Sequence, residues 1–284
     1  MTRALAWLAV AVMTALVGSA AALHAQAPGT ASPGRQIEVD LELVLAVDIS
    51  YSMDPEEQRL QRDGYVLAFR DKALWAAIAS GKNQRIAITY FEWAGPPVQG
   101  IVLPWTLIDG PAAAEAVAAK LEAHPISRGR MTSISSALSF GEALFGTGGF
   151  KGLRRTIDVS GDGPNNAGLL VTTVRDRLVK NGIVINGLPV MLKLGQSGFF
   201  DIMDLDDYYS ECVIGGPGSF VIPIRSREEF VTATRQKLIL EIAGLSPPPT
   251  IIRAAWKPVQ YKARTESGID CQIGERLRQR YFDR

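Results

Sequence analysis

The chain has 284 residues, which is enough for one large α/β domain or two small ones. Hydrophobic residues make up 47% and charged residues 21%, as is typical of a soluble globular protein. Because 30 Lys and Arg residues balance 29 Asp and Glu residues, the total charge gives no reason to expect nucleic acid or an anionic membrane as a partner, although a local patch is still possible.

The N-terminus has the pattern of an export signal. Arg3 precedes an apolar run over residues 4–23, and small residues then lead to Ala25-Gln26-Ala27. This pattern predicts a secretory signal peptide at 1–27, with cleavage after Ala25 as an alternative. A permanent membrane anchor is the other interpretation, because the run approaches the length of a membrane span. We therefore expect a periplasmic or secreted bacterial protein with no stable membrane span after cleavage.

A flexible leader at 28–37, rich in Pro, Gly, Ala and Ser, precedes the first strand at 39–47. Asp54-Pro55-Glu56-Glu57 contains a capping box and predicts the start of a helix that continues to Gly81. This helix has an apolar repeat at Leu60, Leu67, Leu74 and Ile78.

Strands and helices then alternate along the chain. Further strands are predicted at 85–91, 98–103, 156–160, 183–189 and 219–224, and further helices at 111–122, 132–145, 168–180 and 227–242. The alternation predicts an α/β fold over 38–243, with a doubly wound, mainly parallel sheet flanked by helices. Prolines bracket 98–103, so this strand is expected at an edge, where it can run antiparallel.

The remaining residues, 244–284, form a Pro-rich linker and a polar C-terminal tail. The two cysteines are Cys212 in the domain and Cys271 in the tail. In an oxidising compartment a Cys212–Cys271 disulfide is the simplest expectation, and two free thiols are the alternative.

Oxygen-bearing side chains occur in three pieces that the predicted sheet brings towards one edge. Asp48-Ile49-Ser50-Tyr51-Ser52 follows the first strand, Thr132 opens a helix, and Asp162 follows the strand ending at Ser160. Two carboxylates and three hydroxyls suit a hard divalent cation, Mg²⁺ or Mn²⁺. Loop capping by Asp48 and Ser50, and a simple helix N-cap at Thr132, are the non-metal alternatives.

This arrangement of Asp-x-Ser-x-Ser, a later Thr and a later Asp-Gly resembles the metal-ion-dependent adhesion site of von Willebrand factor A domains. The resemblance covers about residues 38–243, and it implies that Ser50 and Ser52 bind the metal, with Thr132 and Asp162 binding directly or through water. Stretches 157–166 and 212–218 more narrowly resemble DUF1194, a bacterial family of exported A-domain proteins. Gly161 departs from the apolar residue or Thr that many A domains have there, and we expect this to affect loop flexibility.

Asp158 lies inside a predicted strand, where a carboxylate is disfavoured. It is expected to pair with a cation such as Arg154 or Arg155, to support the site, or simply to occupy a partly exposed strand position.

The sequence favours binding over catalysis. His124 is the one histidine after the signal segment, and neither a P-loop nor a zinc-protease motif occurs. We therefore predict an exported, metal-dependent protein-binding domain whose Mg²⁺ is completed by an Asp or Glu carboxylate of a partner protein. The alternatives are a metal-free interaction scaffold and a Mg²⁺-dependent phosphoryl-transfer enzyme with Asp48 as nucleophile.

Overall fold

The structure is a computed structural model that describes residues 36–192, 200–244 and 268–283. The predicted signal peptide, nearly all of the leader and the prolines at 247–249 lie outside the described residues.

A five-stranded sheet forms the centre of the domain, with strand order β3-β2-β1-β4-β5. The strands are β1 (Ile37–Asp48), β2 (Ile86–Trp93), β3 (Gln99–Ile108), β4 (Phe150–Gly161) and β5 (Val184–Pro189). All neighbouring pairs are parallel except β2–β3, which is antiparallel. The predicted fold class, including an antiparallel edge strand, is therefore confirmed.

Helices cover both faces of the sheet. They are α1 (Pro55–Phe69), α2 (Lys72–Ala79), α3 (Pro111–Ala123), α4 (Ile134–Leu144), α5 (Val171–Lys180), α6 (Leu205–Tyr208), α7 (Glu229–Ala243) and α8 (Ile273–Phe282), with a π-helical turn at Tyr209–Val213. One apolar core lies between the sheet and α1, α2, α3 and α7, and a second lies between the sheet and α4, α5 and the π-helical turn. Burial on both faces explains why β1 is buried from Val39 to its end.

The single helix predicted from Asp54 to Gly81 is two helices in the structure. The break falls at Arg70 and Asp71, where the Asp71 side chain accepts a hydrogen bond from the backbone N–H of Ala73 and caps α2. The predicted apolar repeat also fails within α1, where Leu67 is 46% exposed while Tyr65 and Phe69 are buried.

Three predicted strands also differ from the structure. β3 continues to Ile108, and β4 begins at Phe150, earlier than the predicted start at 156. Residues 219–224 form only isolated bridges beside β5, from Val221 to Gly187 and from Ile224 to Val190. Pro223 lacks an N–H donor and interrupts this segment, which suits the outer side of the sheet.

The C-terminal tail contains a helix that the sequence reasoning did not predict. Cys212, in the π-helical turn, forms a disulfide with Cys271, immediately before α8. Ile269 and Ile273 pack against the same apolar core as α4 and α5. The described part of the tail is therefore attached to the domain.

Candidate metal centre

Asp48 ends β1 at the carboxyl edge of the sheet and is fully buried. Its Oδ1 accepts a hydrogen bond of 2.7 Å from the backbone N–H of Ser50, which turns the chain sharply after the strand. Its Oδ2 is buried and has no hydrogen-bond partner among the described residues. A buried carboxylate oxygen in this state is unusual, and it marks a position suited to a ligand.

Hydrogen bonds join the loop after β1 to the loop after β4. The Oγ atoms of Ser50 and Ser52 are 2.8 Å apart, and Ser52 Oγ donates to Asp162 Oδ1 at 2.6 Å. β1 and β4 are parallel neighbours, so their carboxyl ends meet at the same edge. The structure thus places Asp48, Ser50, Ser52 and Asp162 in one cluster of oxygen atoms.

Thr132, the fifth predicted ligand, is buried in a loop beside this cluster. The loop pairs with the segment after β1, because Gly129 N donates to Ile49 O at 2.8 Å and Tyr51 N donates to Gly129 O at 2.9 Å. Met131 adopts a φ of 66°, in the left-handed region that is disfavoured for long side chains. Such strain is common where a functional site fixes the backbone.

The sequence reasoning missed two asparagines that hold Thr132. Asn166 Oδ1 accepts from Thr132 N at 2.9 Å, and Asn166 N donates to Thr132 O at 2.8 Å. Asn165 Oδ1 accepts from Ser135 N at 3.0 Å. Asn165 and Asn166 lie three and four residues after Asp162, so the loop that follows this predicted ligand also holds the segment around Thr132. Both asparagines belong to the stretch 157–166 that resembles DUF1194, and this resemblance was the signal in the sequence that could have found them.

The carboxylates of Asp48 and Asp162 carry the same charge and repel each other. Burial raises the pKa of Asp48 well above its ordinary value, and repulsion from the Asp162 carboxylate raises it further, against hydrogen bonds from Ser50 and from the Asp162 backbone. A bound divalent cation would remove this repulsion. The all-oxygen ligand set and the partnerless Asp48 Oδ2 therefore fit a hard divalent ion such as Mg²⁺ or Mn²⁺.

Gly161 has a steric role in this site. A Cβ at this position would lie 2.8 Å from Asp48 Oδ2 and 2.8 Å from the hydroxyl of Tyr209. The Tyr209 hydroxyl is buried without a hydrogen-bond partner among the described residues, and burial followed by the charge of Asp48 raises its pKa well above the ordinary value. The glycine thus leaves space for the Tyr209 ring beside the site. The sequence predicted an effect of Gly161 on loop flexibility and did not predict this contact.

Asp158 pairs with neither of the arginines considered in the sequence reasoning. Lys237 of α7 lies 2.5 Å from Asp158 Oδ1 and 2.5 Å from Glu241 Oε1, and all three side chains are buried. Arg154 instead donates to the last carbonyls of α7, and Arg155 donates to Asn181 O. The trio stabilises the attachment of α7 to β4.

The fold is that of a von Willebrand factor A-like domain. Similar solved structures include proximal thread matrix protein 1 from the mussel byssus, with TM-score 0.54 and 15% identity over 73% of this chain and 49% of that one. The pilus adhesin SpaC from Lactobacillus rhamnosus GG has TM-score 0.53 and 11% identity over 74% and 32%. The von Willebrand factor type A protein from Catenulispora acidiphila has TM-score 0.51 and 11% identity over 72% and 43%. This chain spans less than half of each of these proteins.

The family assignment is more specific. The sequence matches the family described as "Protein of unknown function (DUF1194)" over residues 38–246, and the chain belongs to that family. No curated protein matches the sequence. Another structure of the mussel matrix protein is described as having a zinc-occupied MIDAS motif, the metal-ion-dependent adhesion site. Within the described ranges of this chain, no helix has the length and apolar character needed to cross a membrane.

Proposed function

We propose that this protein is an exported, divalent-metal-dependent binding domain for other proteins. Asp48, Ser50, Ser52, Thr132 and Asp162 would hold Mg²⁺ or Mn²⁺, and an Asp or Glu carboxylate of the partner would complete the shell. The observation that carries the proposal is the cluster of serine and carboxylate oxygens around the buried, partnerless Asp48 Oδ2.

The ligand types explain why the partner would be acidic. The formal charges of a divalent ion and two ionised carboxylates cancel, so an acidic partner would be held by direct coordination, because a hard divalent ion takes a carboxylate oxygen at a position that the neutral hydroxyls leave open. Ser50 and Ser52 orient each other through their hydrogen bond, and Ser52 holds Asp162.

Positive charge also lies beside the cluster. The Arg128 guanidinium lies 4.8 Å from the ring centroid of Tyr51 and donates hydrogen bonds to the backbone oxygens of Tyr51 and Met53. Tyr51 is 53% exposed, so this cation and ring form an accessible border of the site. Such a border suits an acidic segment of a protein partner.

Export and a binding role have separate support. The predicted signal peptide and the disulfide suit an oxidising compartment, the periplasm or the exterior. The A-domain fold shared with a pilus adhesin and a byssal matrix protein favours adhesion or scaffolding over catalysis.

Thermal unfolding of residues 28–284 with EDTA, Mg²⁺, Mn²⁺ or Ca²⁺ tests the metal site. An ion present at about 100 times its Kd stabilises the folded state by about 2.7 kcal/mol and raises the midpoint. We expect this increase in the wild type and not in Asp48→Asn, whereas Asp109→Asn, at an exposed position, serves as the matched control. If Mg²⁺ and Mn²⁺ leave the wild-type midpoint unchanged at millimolar concentration, the metal proposal is wrong.

A peptide selection tests the acidic partner. Peptides selected against the protein in Mg²⁺ should be enriched in Asp or Glu, and their binding should be lost in EDTA and in Thr132→Ala. Binding that resists both changes would instead support a metal-free interaction scaffold. Mg²⁺-dependent phosphate release from a phosphoryl donor, absent in Asp48→Asn, would support the enzymatic alternative.

A further inference from the structure

The C-terminal helix α8 packs directly on the loop that follows Asp162. A Cβ at Gly274 would lie only 2.1 Å from the backbone oxygen of Asn165, so the helix and the loop are in close contact. Glu275 Oε1 accepts a hydrogen bond of 2.7 Å from Asn165 Nδ2, and an Arg278 guanidinium nitrogen donates to Asn166 O at 3.2 Å. α8 therefore contacts both asparagines.

The same two asparagines hold the segment around Thr132. Asn166 exchanges two hydrogen bonds with the Thr132 backbone, and Asn165 Oδ1 accepts from Ser135 N. Ser133 Oγ donates to Ala167 O at 2.8 Å, which adds a third connection between the segments. The loop at 164–167 thus lies between α8 and a predicted metal ligand, and its position depends on both neighbours.

The disulfide fixes where α8 begins. Cys271 precedes the helix, and Cys212 is fully buried in the π-helical turn. Tyr208, beside that turn, accepts a hydrogen bond of 3.2 Å at its hydroxyl from Asn165 N. α8 lies beyond residues 38–246, so its contacts with the loop at 164–167 join a segment outside the family match to one inside it.

We infer that α8 is a positioning element of the metal centre, which holds Asn165 and Asn166 so that Thr132 stays in place for the ion. The Cys212–Cys271 disulfide is its attachment, and loss of the disulfide would weaken metal binding. The inference rests on the proposed function for its metal and on the described contacts for its geometry.

The test uses the mature full-length protein and two measurements. Titration calorimetry with Mn²⁺ gives the affinity, and NMR-detected hydrogen exchange follows the Thr132 and Ser135 amides, which donate to the two asparagines. Near-ultraviolet circular dichroism confirms that each variant is folded. Removing a group that orients a metal ligand typically lowers affinity about tenfold or more.

Gly274→Ala places a methyl against Asn165, and Glu275→Ala removes a hydrogen-bond acceptor. Both variants should bind Mn²⁺ about tenfold more weakly and exchange the two amides faster. Glu275→Gln should restore both properties, because its amide oxygen can accept from Asn165. Gln279→Ala, at an exposed position on the same helix, should match the wild type.

The Cys212→Ala/Cys271→Ala variant provides a second route to the same result, with weaker binding and faster exchange. Unchanged affinity in Gly274→Ala and Glu275→Ala, in a wild type that binds Mn²⁺, would overturn the inference and leave the proposed function standing. A wild type that binds no Mn²⁺ would overturn the proposed function and the metal part of the inference. The exchange rates would then decide separately whether α8 holds the loop.

Discussion

Replacement of Lys237 by Met should strongly destabilise the fold in a pH-dependent manner. The ammonium group lies between Asp158 and Glu241, and all three side chains are buried. Methionine is of similar length but removes the charge, which leaves two buried carboxyl groups without their cation. Breaking a buried ion pair in this way costs about 3–5 kcal/mol.

The cost should depend on pH because the two carboxyl groups can take up protons. Burial raises the pKa of Asp158, and burial together with the charge of Asp158 raises the pKa of Glu241 to about 7. Without Lys237 both pKa values should rise further, so the folded variant binds more protons than the folded wild type. The stability deficit of the variant should therefore decrease as the pH falls.

Urea unfolding at about pH 8 and about pH 6 measures this deficit, which should be larger at the higher pH by about 1–2 kcal/mol. Lys120→Met, at an exposed position in α3, is the matched control and should change the free energy of unfolding by less than about 0.5 kcal/mol. The triple variant Lys237→Met/Asp158→Asn/Glu241→Gln should recover much of the loss. A deficit below about 1 kcal/mol at both pH values would refute the assigned role of the trio.

Three further predictions concern the site and the tail. Gly161→Ala should lower the free energy of unfolding by about 1–3 kcal/mol, because its methyl would collide with two buried oxygens. Gly163→Ala, with open space at its Cβ, should have little effect. Equal urea midpoints for the two variants would contradict this prediction. Since the pKa of Glu241 is raised from 4.5 to about 7, the folded state holds an extra proton between these values. The free energy of unfolding should thus fall as the pH rises from about 4.5 to about 7, and Glu241→Gln should make this dependence on pH weaker. Urea unfolding measured across this pH range would contradict the raised pKa of Glu241 if the variant showed the same pH dependence as the wild type. Reduction of the Cys212–Cys271 bond, whose cysteines are 59 residues apart, should lower the free energy of unfolding by about 4 kcal/mol, and a denaturation midpoint unaffected by reductant would disprove this.

The sequence by itself predicted the class of the sheet, mainly parallel with an antiparallel edge strand, and most of the candidate site, but it misplaced the start of β4 and predicted a strand at 219–224 that forms only isolated bridges. Apolar runs that end in polar loops predicted β1 and β4, and the carboxyl ends of parallel strands meet at one edge whatever the details of packing. This rule places Asp48, Ser50, Ser52 and Asp162 together, as the structure shows through their hydrogen bonds. Local spacing is enough here because each side chain sits directly after a strand.

The break between α1 and α2 depended on a capping side chain that the apolar repeat did not reveal. The continuous apolar repeat predicted one helix from Asp54 to Gly81, yet the Asp71 side chain caps a new helix in the middle of that segment. The predicted core face is also wrong within α1, where Leu67 is exposed. A side chain that can cap a helix competes with continuation of the preceding helix, and tertiary packing decides whether the chain turns at Asp71 or stays helical.

Tertiary structure alone decided which distant side chains fill the space around the site. The partner of Asp158 is Lys237 on α7, the space beside Gly161 is taken by Tyr209, and the loop at Asn165 is held by Glu275. These contacts have no signature in local sequence, because burial and charge compensation are satisfied by whichever residue the folded chain brings near. The sequence thus placed the predicted ligands at the strand ends, and three-dimensional packing determined which residues hold them there.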